Sequence, residues 1–276
     1  MRPLFHSSVG ISLRIPIVAP MTSPLIDTHC HLDVAAFDAD RCQVLQHARA
    51  VGVTAMVIPG IQAAAWHDLL ALCDAEPDLY PALGLHPMYL RRHRNSDLST
   101  LEQMLQRHRV VALGEIGLDY HDPALEPRRQ RQFCQAQLAI ARSAQLPVLL
   151  HVRKAHDEML GLLRNADLCG GIAHAFNGSL EQARRYLDLG FKLGFGGMLT
   201  FERSTRLRRL ARELPIDAIV LETDAPDLTV ASHRFERNSP EYLPEILSAL
   251  AQIRDAPCDE IAAQTTANAR TLLGLS

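Results

Sequence analysis

Eight short apolar, β-branched runs recur along the 276-residue chain, with longer stretches of helical spacing between them. They are LIDTHCHL (25–32), TAMVIPGI (54–61), YPALGLHP (80–87), VVALGEIGLDY (110–120), PVLLHVR (147–153), GGIAHAFNG (170–178), FKLGFGG (191–197) and IVLETDAP (219–226). The stretch 40–52 ends on Gly52, a natural helix stop. The stretch 128–147 carries Phe133, Leu138 and Ile140 and ends on Pro147; 179–190 has Ser179 as an N-cap and Gly190 beyond its last turn; 240–253 follows the eighth run. Strands alternating with helices build a parallel sheet. Eight such units predict an α/β protein of one closed (β/α)8 TIM barrel, a fold of about 250 residues whose chemistry lies at the C-terminal ends of the strands.

No linker rich in Gly, Ser or Pro divides the chain, so residues 22–276 are expected to form one barrel domain. Residues 1–21 are expected to be an N-terminal extension, disordered or read from an upstream start. His6, Arg14, Pro16 and Pro20 interrupt any signal-peptide core, and Met21 opens a natural start. Hydrophobic residues make up 47% and charged residues 21%, an ordinary globular balance, and no run reaches the roughly 20 apolar residues that span a bilayer. A net charge of −3 argues against an extended basic surface for long nucleic acid, though not against a small basic mouth. The six cysteines, Cys30, Cys42, Cys73, Cys134, Cys169 and Cys258, form no CxxC pair. They read as reduced, mostly buried thiols of a cytoplasmic protein. A monomer that makes no contact with membranes is expected.

The polar residues gather where a barrel would use them. The first run ends in His29 and His31, the third in His86, and the fourth in Glu115 and Asp119. The fifth ends in His151 and Arg153, the sixth carries His174 and then Asn177, and the eighth ends in Glu222 and Asp224. Residues two apart on a strand share a face, so His29 pairs with His31 and Cys30 turns away, which disfavours a zinc–thiolate site. Taken singly, each has a plain structural role open to it. His86 can cap a turn before Pro87, His174 can be a hydrogen-bonded core residue, and Asp224 can cap a helix. Glu222 calls for a partner such as Arg153 or a histidine. Jointly, four histidines, one Glu and one Asp at the tips of five strands would be costly to desolvate, and divalent cations would offset that cost. Nitrogen and carboxylate donors suit Zn, Mn or similar metals. The arginine runs RRHR (91–94), RRQR (128–131) and RSTRLRR (203–209) read as solvated faces. Arg203 and Arg206, just past the seventh run, are better placed to meet an anionic substrate.

The motifs DTHCHLD, GLHP, GEIGLDY, LPVLLHVRKA, AHAFNGS and ETDAP occur in that order over about residues 25–275. Together they resemble the TatD family of metal-dependent deoxyribonucleases, within the amidohydrolase-like barrels. The resemblance implies two divalent cations (Zn, Mn or Mg). His29 and His31 would be the first ligand pair, Glu115 the bridging carboxylate, and His151 and His174 ligands of the second metal. Asp224 would be a ligand that also takes the proton of the attacking water, which makes Asp224 and Glu115 the catalytic pair. Lys154 and Lys192, the chain's lysines, do not sit where a carbamylated lysine would bridge. His86, Asp119, Arg153 and Asn177 are expected to face the substrate, with Arg153 on a phosphate oxygen. The implied reaction is phosphodiester hydrolysis at a DNA end or on a single strand. The stretch DLTVASHRFERNSP after ETDAP departs from the aromatic and Arg-rich loop of many relatives, which leaves substrate preference open. The same ligands would serve an amidase, a lactonase or an aminoacyl-tRNA deacylase, and a metal-binding quality-control protein without turnover is a further alternative. A retained Asp224 weighs against the last.

Overall fold

The eight strands run parallel in chain order: β1 (Leu25–Asp27), β2 (Val53–Pro59), β3 (Leu79–Leu83), β4 (Ala112–Asp119), β5 (Val148–Arg153), β6 (Gly171–Ala173), β7 (Phe191–Phe195) and β8 (Ile219–Leu221). The structure is a computed structural model and describes residues 23–275; the extension expected over 1–21 lies outside the described residues. The helices are α1 (Arg41–Ala50), α2 (Trp66–Ala75), α3 (Asn95–Arg107), α4 (Pro127–Ala144), α5 (His156–Leu163), α6 (Leu180–Asp188), α7 (Thr205–Glu213), α8 (Leu243–Arg254) and α9 (Cys258–Leu273). This is the TIM barrel that the alternating pattern predicts. Ile26, Val57, Ala82, Leu149, Ile172 and Val220, from strands around the barrel, form a buried cluster that fills its interior, and Ala269 and Leu273 of α9 pack against it. A larger cluster that includes Trp66, Phe133, Tyr186 and Phe191 joins strands to the surrounding helices.

Neighbouring strands from β1 to β8 pair in parallel, with a register shift between Leu25 and Ile26 in β1–β2 and between Leu113 and Ile116, around Glu115, in β4–β5. Between β8 and β1 the barrel closes by a different set of bonds. Thr28 donates to the Leu221 carbonyl through both its N–H and its hydroxyl, each at 3.0 Å. Farther along, Asp224 N–H donates to His29 O and His31 N–H to Ala225 O, both at 2.8 Å. The buried Asp27 carboxylate accepts from Thr223 N–H at 3.0 Å and from the Thr223 hydroxyl at 2.5 Å. The segments that close the barrel are therefore the segments that carry His29, His31 and Asp224.

Three strands are shorter than their apolar runs. Beyond residues 27, 173 and 221 the backbone leaves the sheet, so the motif residues sit on ordered segments just past the strand ends. The cysteine expectation needs a correction as well. Cys30, Cys73 and Cys134 are buried, whereas Cys42, Cys169 and Cys258 are exposed, because the latter occupy outer faces or ends of the helical layer. RRQR is likewise not a uniformly solvated face: Gln130 within it is 1% exposed, turned inward from α4.

Replacing Thr223 by Val keeps the shape of the seam but leaves one Asp27 oxygen buried without its hydroxyl donor. The expected loss is about 1–3 kcal/mol, read as a Tm several degrees lower, while Thr223→Ser stays near wild type. Thermal melts of the two variants check this.

Candidate metal centre

Glu115 is the hub. It lies within β4, 2% exposed, and each of its oxygens faces a different pair of imidazoles. Oε2 is 3.2 Å from His29 Nε2 and 3.5 Å from His31 Nε2. Oε1 is 3.2 Å from His86 Nε2 and 3.1 Å from His151 Nδ1. Asp224 closes the first side: its Oδ1 is 3.8 Å from His29 Nε2, 3.6 Å from His31 Nε2 and 3.5 Å from His174 Nε2. The His174 ring stacks on that of His29 with centroids 3.6 Å apart. Asp224 holds a left-handed backbone conformation, φ 60°, which costs free energy in a residue other than glycine and is found where surrounding structure fixes a functional side chain. A glycine admits Glu115 to this depth: a Cβ at Gly84 would lie 2.6 Å from the Gly114 carbonyl carbon and 2.7 Å from Glu115 O.

Contacts outside the donor cluster bear on where several of the imidazoles carry their protons. His31 Nδ1–H donates to the Pro59 carbonyl at 3.2 Å. His151 Nε2–H donates to Asp119 Oδ2 at 2.9 Å, and His174 Nδ1 lies 3.0 Å from Glu222 Oε1. In their neutral forms these three histidines turn a bare lone pair inward. His29 and His31 present Nε2 atoms 3.2 Å apart, a contact that no neutral pair with inward lone pairs can satisfy. His86 differs. Its Nδ1 accepts the Met88 N–H at 3.1 Å, so the neutral ring carries its proton on Nε2 and donates it to Glu115.

Converging lone pairs and carboxylates form a cation's donor set. Among the described residues, three groups of donors lie close enough to hold a metal ion: His29, Glu115 and His174; His29, His31 and Asp224; His86, Glu115 and His151. His86 qualifies by distance, but its tautomer makes it a hydrogen-bond donor to the hub. The residues present therefore fit a divalent metal with nitrogen and oxygen ligands. Cys30 points into the core, as the strand spacing predicts.

Protonation behaviour reflects the same crowding. Burial alone would push His31 down, but the hydrogen bond and charge of Glu115 together with the charge of Asp224 carry it up to about 9. Burial likewise opposes, and Asp119 and Glu115 outweigh it, for His151, also up to about 9. Burial dominates at His86, down to about 4. Burial would raise Asp224, yet His174, His29 and His31 hold it at about 2, so it is ionised at neutral pH. Protons in the metal-free site occupy positions that a cation takes over.

Several residues act behind the donors. Asp119, 1% exposed, is committed to His151 and to the His121 N–H (2.8 Å), so its carboxylate holds the His151 ring. Glu222 pairs with His174, not Arg153, and also accepts the Ala175 N–H at 2.6 Å. Gly194 makes room for it, since a Cβ there would lie 2.1 Å from Glu222 Oε2. Two buried glutamines of α4 were not legible as site residues. Gln130 exchanges hydrogen bonds with the Asp119 backbone, both at 2.7 Å, and Gln137 brackets Leu85, next to His86, at 2.7 and 3.2 Å. Their spacing of seven on the inward face of α4 was the available signal. A cavity of about 680 Å³ opens over the donors; His151, Arg153, His174, Asn177 and Asp224 line it. Arg153 and Asn177 are exposed there, with Asn177 Oδ1 accepting from the buried His156 Nε2–H at 3.2 Å.

Residues 26–274 match the family described as TatD related DNase. The chain is 40% identical over 260 residues to the uncharacterized metal-dependent hydrolase YjjV of Escherichia coli K12, covering 92% of this chain and 100% of that protein. It is 34% identical over 259 residues to the 3'-5' ssDNA/RNA exonuclease TatD of Erwinia tasmaniensis, covering 91% and 100%. The crystal structure of the E. coli YjjV protein, a TatD homologue, superposes with a TM-score of 0.89 at 39% identity, covering 91% of this chain and 98% of that one.

Two outcomes follow for the centre. Glu222→Gln weakens the hold on His174 Nδ1 and should lower metal affinity by about 10–100-fold, the scale of outer-sphere losses, in titrations of the metal-free protein. Because His31 and His151 carry protons up to about pH 9 without metal, loading must expel them. Apparent metal affinity should rise with pH through neutrality and beyond, with proton release measurable by calorimetry in buffers of different ionisation enthalpy.

Proposed function

The chain belongs to the TatD-related DNase family of metal-dependent hydrolases, and we propose that it uses two divalent cations to hydrolyse phosphodiester bonds at the ends of DNA or single-stranded nucleic acid. The observation that carries this reading is the division of Glu115, one oxygen toward His29 and His31, the other toward His151. A single carboxylate shared in this way suits two cations of the Zn, Mn or Mg class. When bound, they supply Lewis acidity toward water and toward a phosphate oxygen.

The protein's own groups supply the rest. Glu115 and the histidines hold fixed positions, so little reorganisation is needed during reaction. Asp224, ionised and in contact with His29, His31 and His174, is placed to accept the proton of the attacking water. His86 Nε2–H holds Glu115 rather than substrate. Arg153 makes no ion pair among the described residues and lines the cavity mouth beside His151, where its guanidinium can grip a non-bridging phosphate oxygen in bidentate fashion. That free cation favours a phosphate over the neutral carbonyl of an amidase or lactonase. Asn177, steadied by His156, faces the same space.

One barrel carries the whole donor set, so a monomer suffices. Among the described residues no helix is long and apolar enough to cross a membrane. With six unpaired cysteines, the cytoplasm is the compartment that suits it.

Chelator should abolish cleavage of an end-labelled single-stranded oligonucleotide, and added Mg, Mn or Zn should restore it; full activity after metal removal verified by elemental analysis sinks the proposal. Asp224→Asn should lower kcat by about 10²-fold or more with the fold intact. Arg153→Ala should keep metal content and raise KM, worth about 1.5–3 kcal/mol. Steady-state kinetics and metal analysis on both variants separate the two roles, and loss of metal from Arg153→Ala contradicts its assignment.

A further inference from the structure

The cavity over the metal donors extends well past them. From His151 and Arg153 at the end of β5 it runs across the tips of β6 and β7 to the start of α7, where Arg203 and Arg206 line it. Both arginines are exposed, and neither makes an ion pair or a side-chain hydrogen bond among the described residues. Several arginines outside the cavity behave differently: Arg41, Arg49, Arg185, Arg209 and Arg237 are each paired with a carboxylate. The carboxylates that share the cavity wall do not supply that pairing. Glu222 is held by His174 and the Ala175 N–H, Asp224 belongs to the donor set, and Asp227, the third carboxylate of the wall, makes no ion pair with either arginine.

β5 and β7 are two strand spacings apart, about 10 Å. Arg153 stands at the end of β5, and Arg203 and Arg206 stand beyond the end of β7, so the cavity offers guanidinium groups at two separate places along its wall. Met198 and Leu228, 37% and 39% exposed, stand in the same wall. Alternating apolar surface and unpaired guanidinium suits a ligand with the same alternation, flat apolar groups joined by phosphates, better than a lone anion. The first turn of α7 contains no acidic residue to oppose it.

Resting on the nuclease reading above, we infer that Arg203 and Arg206 form a second phosphate subsite, which binds the backbone of a single nucleic-acid strand next to the phosphate at the metal centre. The subsite makes the enzyme select a strand over an isolated phosphodiester and sets how the strand lies across the barrel mouth.

Binding to the metal-free protein tests this without any turnover. Fluorescence anisotropy of a labelled single-stranded DNA decamer gives Kd as a function of salt. Arg203→Ala/Arg206→Ala should weaken binding at least 5-fold and reduce the slope of log Kd against log salt by about 0.7, the increment for one phosphate of a single strand. Arg203→Lys/Arg206→Lys should restore the slope. Arg184→Ala/Arg209→Ala, the same loss of charge outside the cavity, should leave both quantities near wild type, and thermal melts confirm that each variant is folded. Equal weakening by the two alanine pairs would reduce the effect to the general field, and no weakening by the first pair would remove the subsite; either overturns the inference. So would inorganic phosphate that competes as well as unlabelled strand. A wild-type protein that binds the strand this way but never cuts it, metal-loaded, refutes the nuclease reading and leaves the subsite standing.

Discussion

A carboxylate buried among imidazoles is the constraint around which the rest of the barrel is arranged. Glu115 is 2% exposed with four histidines within 3.5 Å of its oxygens. Taking such a group out of water is expensive, and only well-placed cations or protons return the cost. The surrounding structure holds the partners still. Asp119 grips His151, Glu222 faces His174, the Pro59 carbonyl accepts a hydrogen bond from His31, and the Met88 amide sets the tautomer of His86. Behind those, two glutamines of α4 lock the backbone at Leu85 and Asp119. Each layer removes rotamer freedom from the one inside it, which is how a centre this polar stays ordered in a fold whose interior is otherwise Ile, Val, Leu and Ala.

The barrel was legible because its two periods were: short β-branched runs for strands, longer helical stretches between them. All eight strands lie within the expected runs, give or take a residue at their starts. The three longest overestimates, at β1, β6 and β8, share a cause. Apolar content continues past the last ladder bond because residues such as Cys30, Phe176 and Ala225 stay buried after the chain leaves the sheet. Helices α2, α3, α5, α7 and α9 were harder to delimit from the residues. In α7, only Leu210 and Ala211 are buried along TRLRRLARE, so its apolar stripe is narrow and most of the segment is charged.

The residues expected to bear the metal do converge on one place. What the sequence could not convey is which nitrogen of each histidine points inward, since that depends on distant partners: Pro59 for His31, Asp119 for His151, Glu222 for His174. The same limit applies to His86, which faces Glu115, and to Asp119, which faces His151. A polar residue at a strand tip looks alike in sequence whether it faces solvent or braces its neighbour. Only burial and the accounting of its hydrogen bonds distinguish the two.

The bonds between β8 and β1 carry a consequence for how the protein is made. Asp27 and Thr223, joined at this closure, are 196 residues apart in the chain. A ribosome therefore releases His29 and His31 early and Asp224 only when most of the barrel already exists. Until then the nascent chain offers a histidine pair without its closing carboxylate, a far poorer trap for passing cations. Barrel closure and the full set of converging donors thus arrive together, late in the chain, and a truncated or stalled product lacks both.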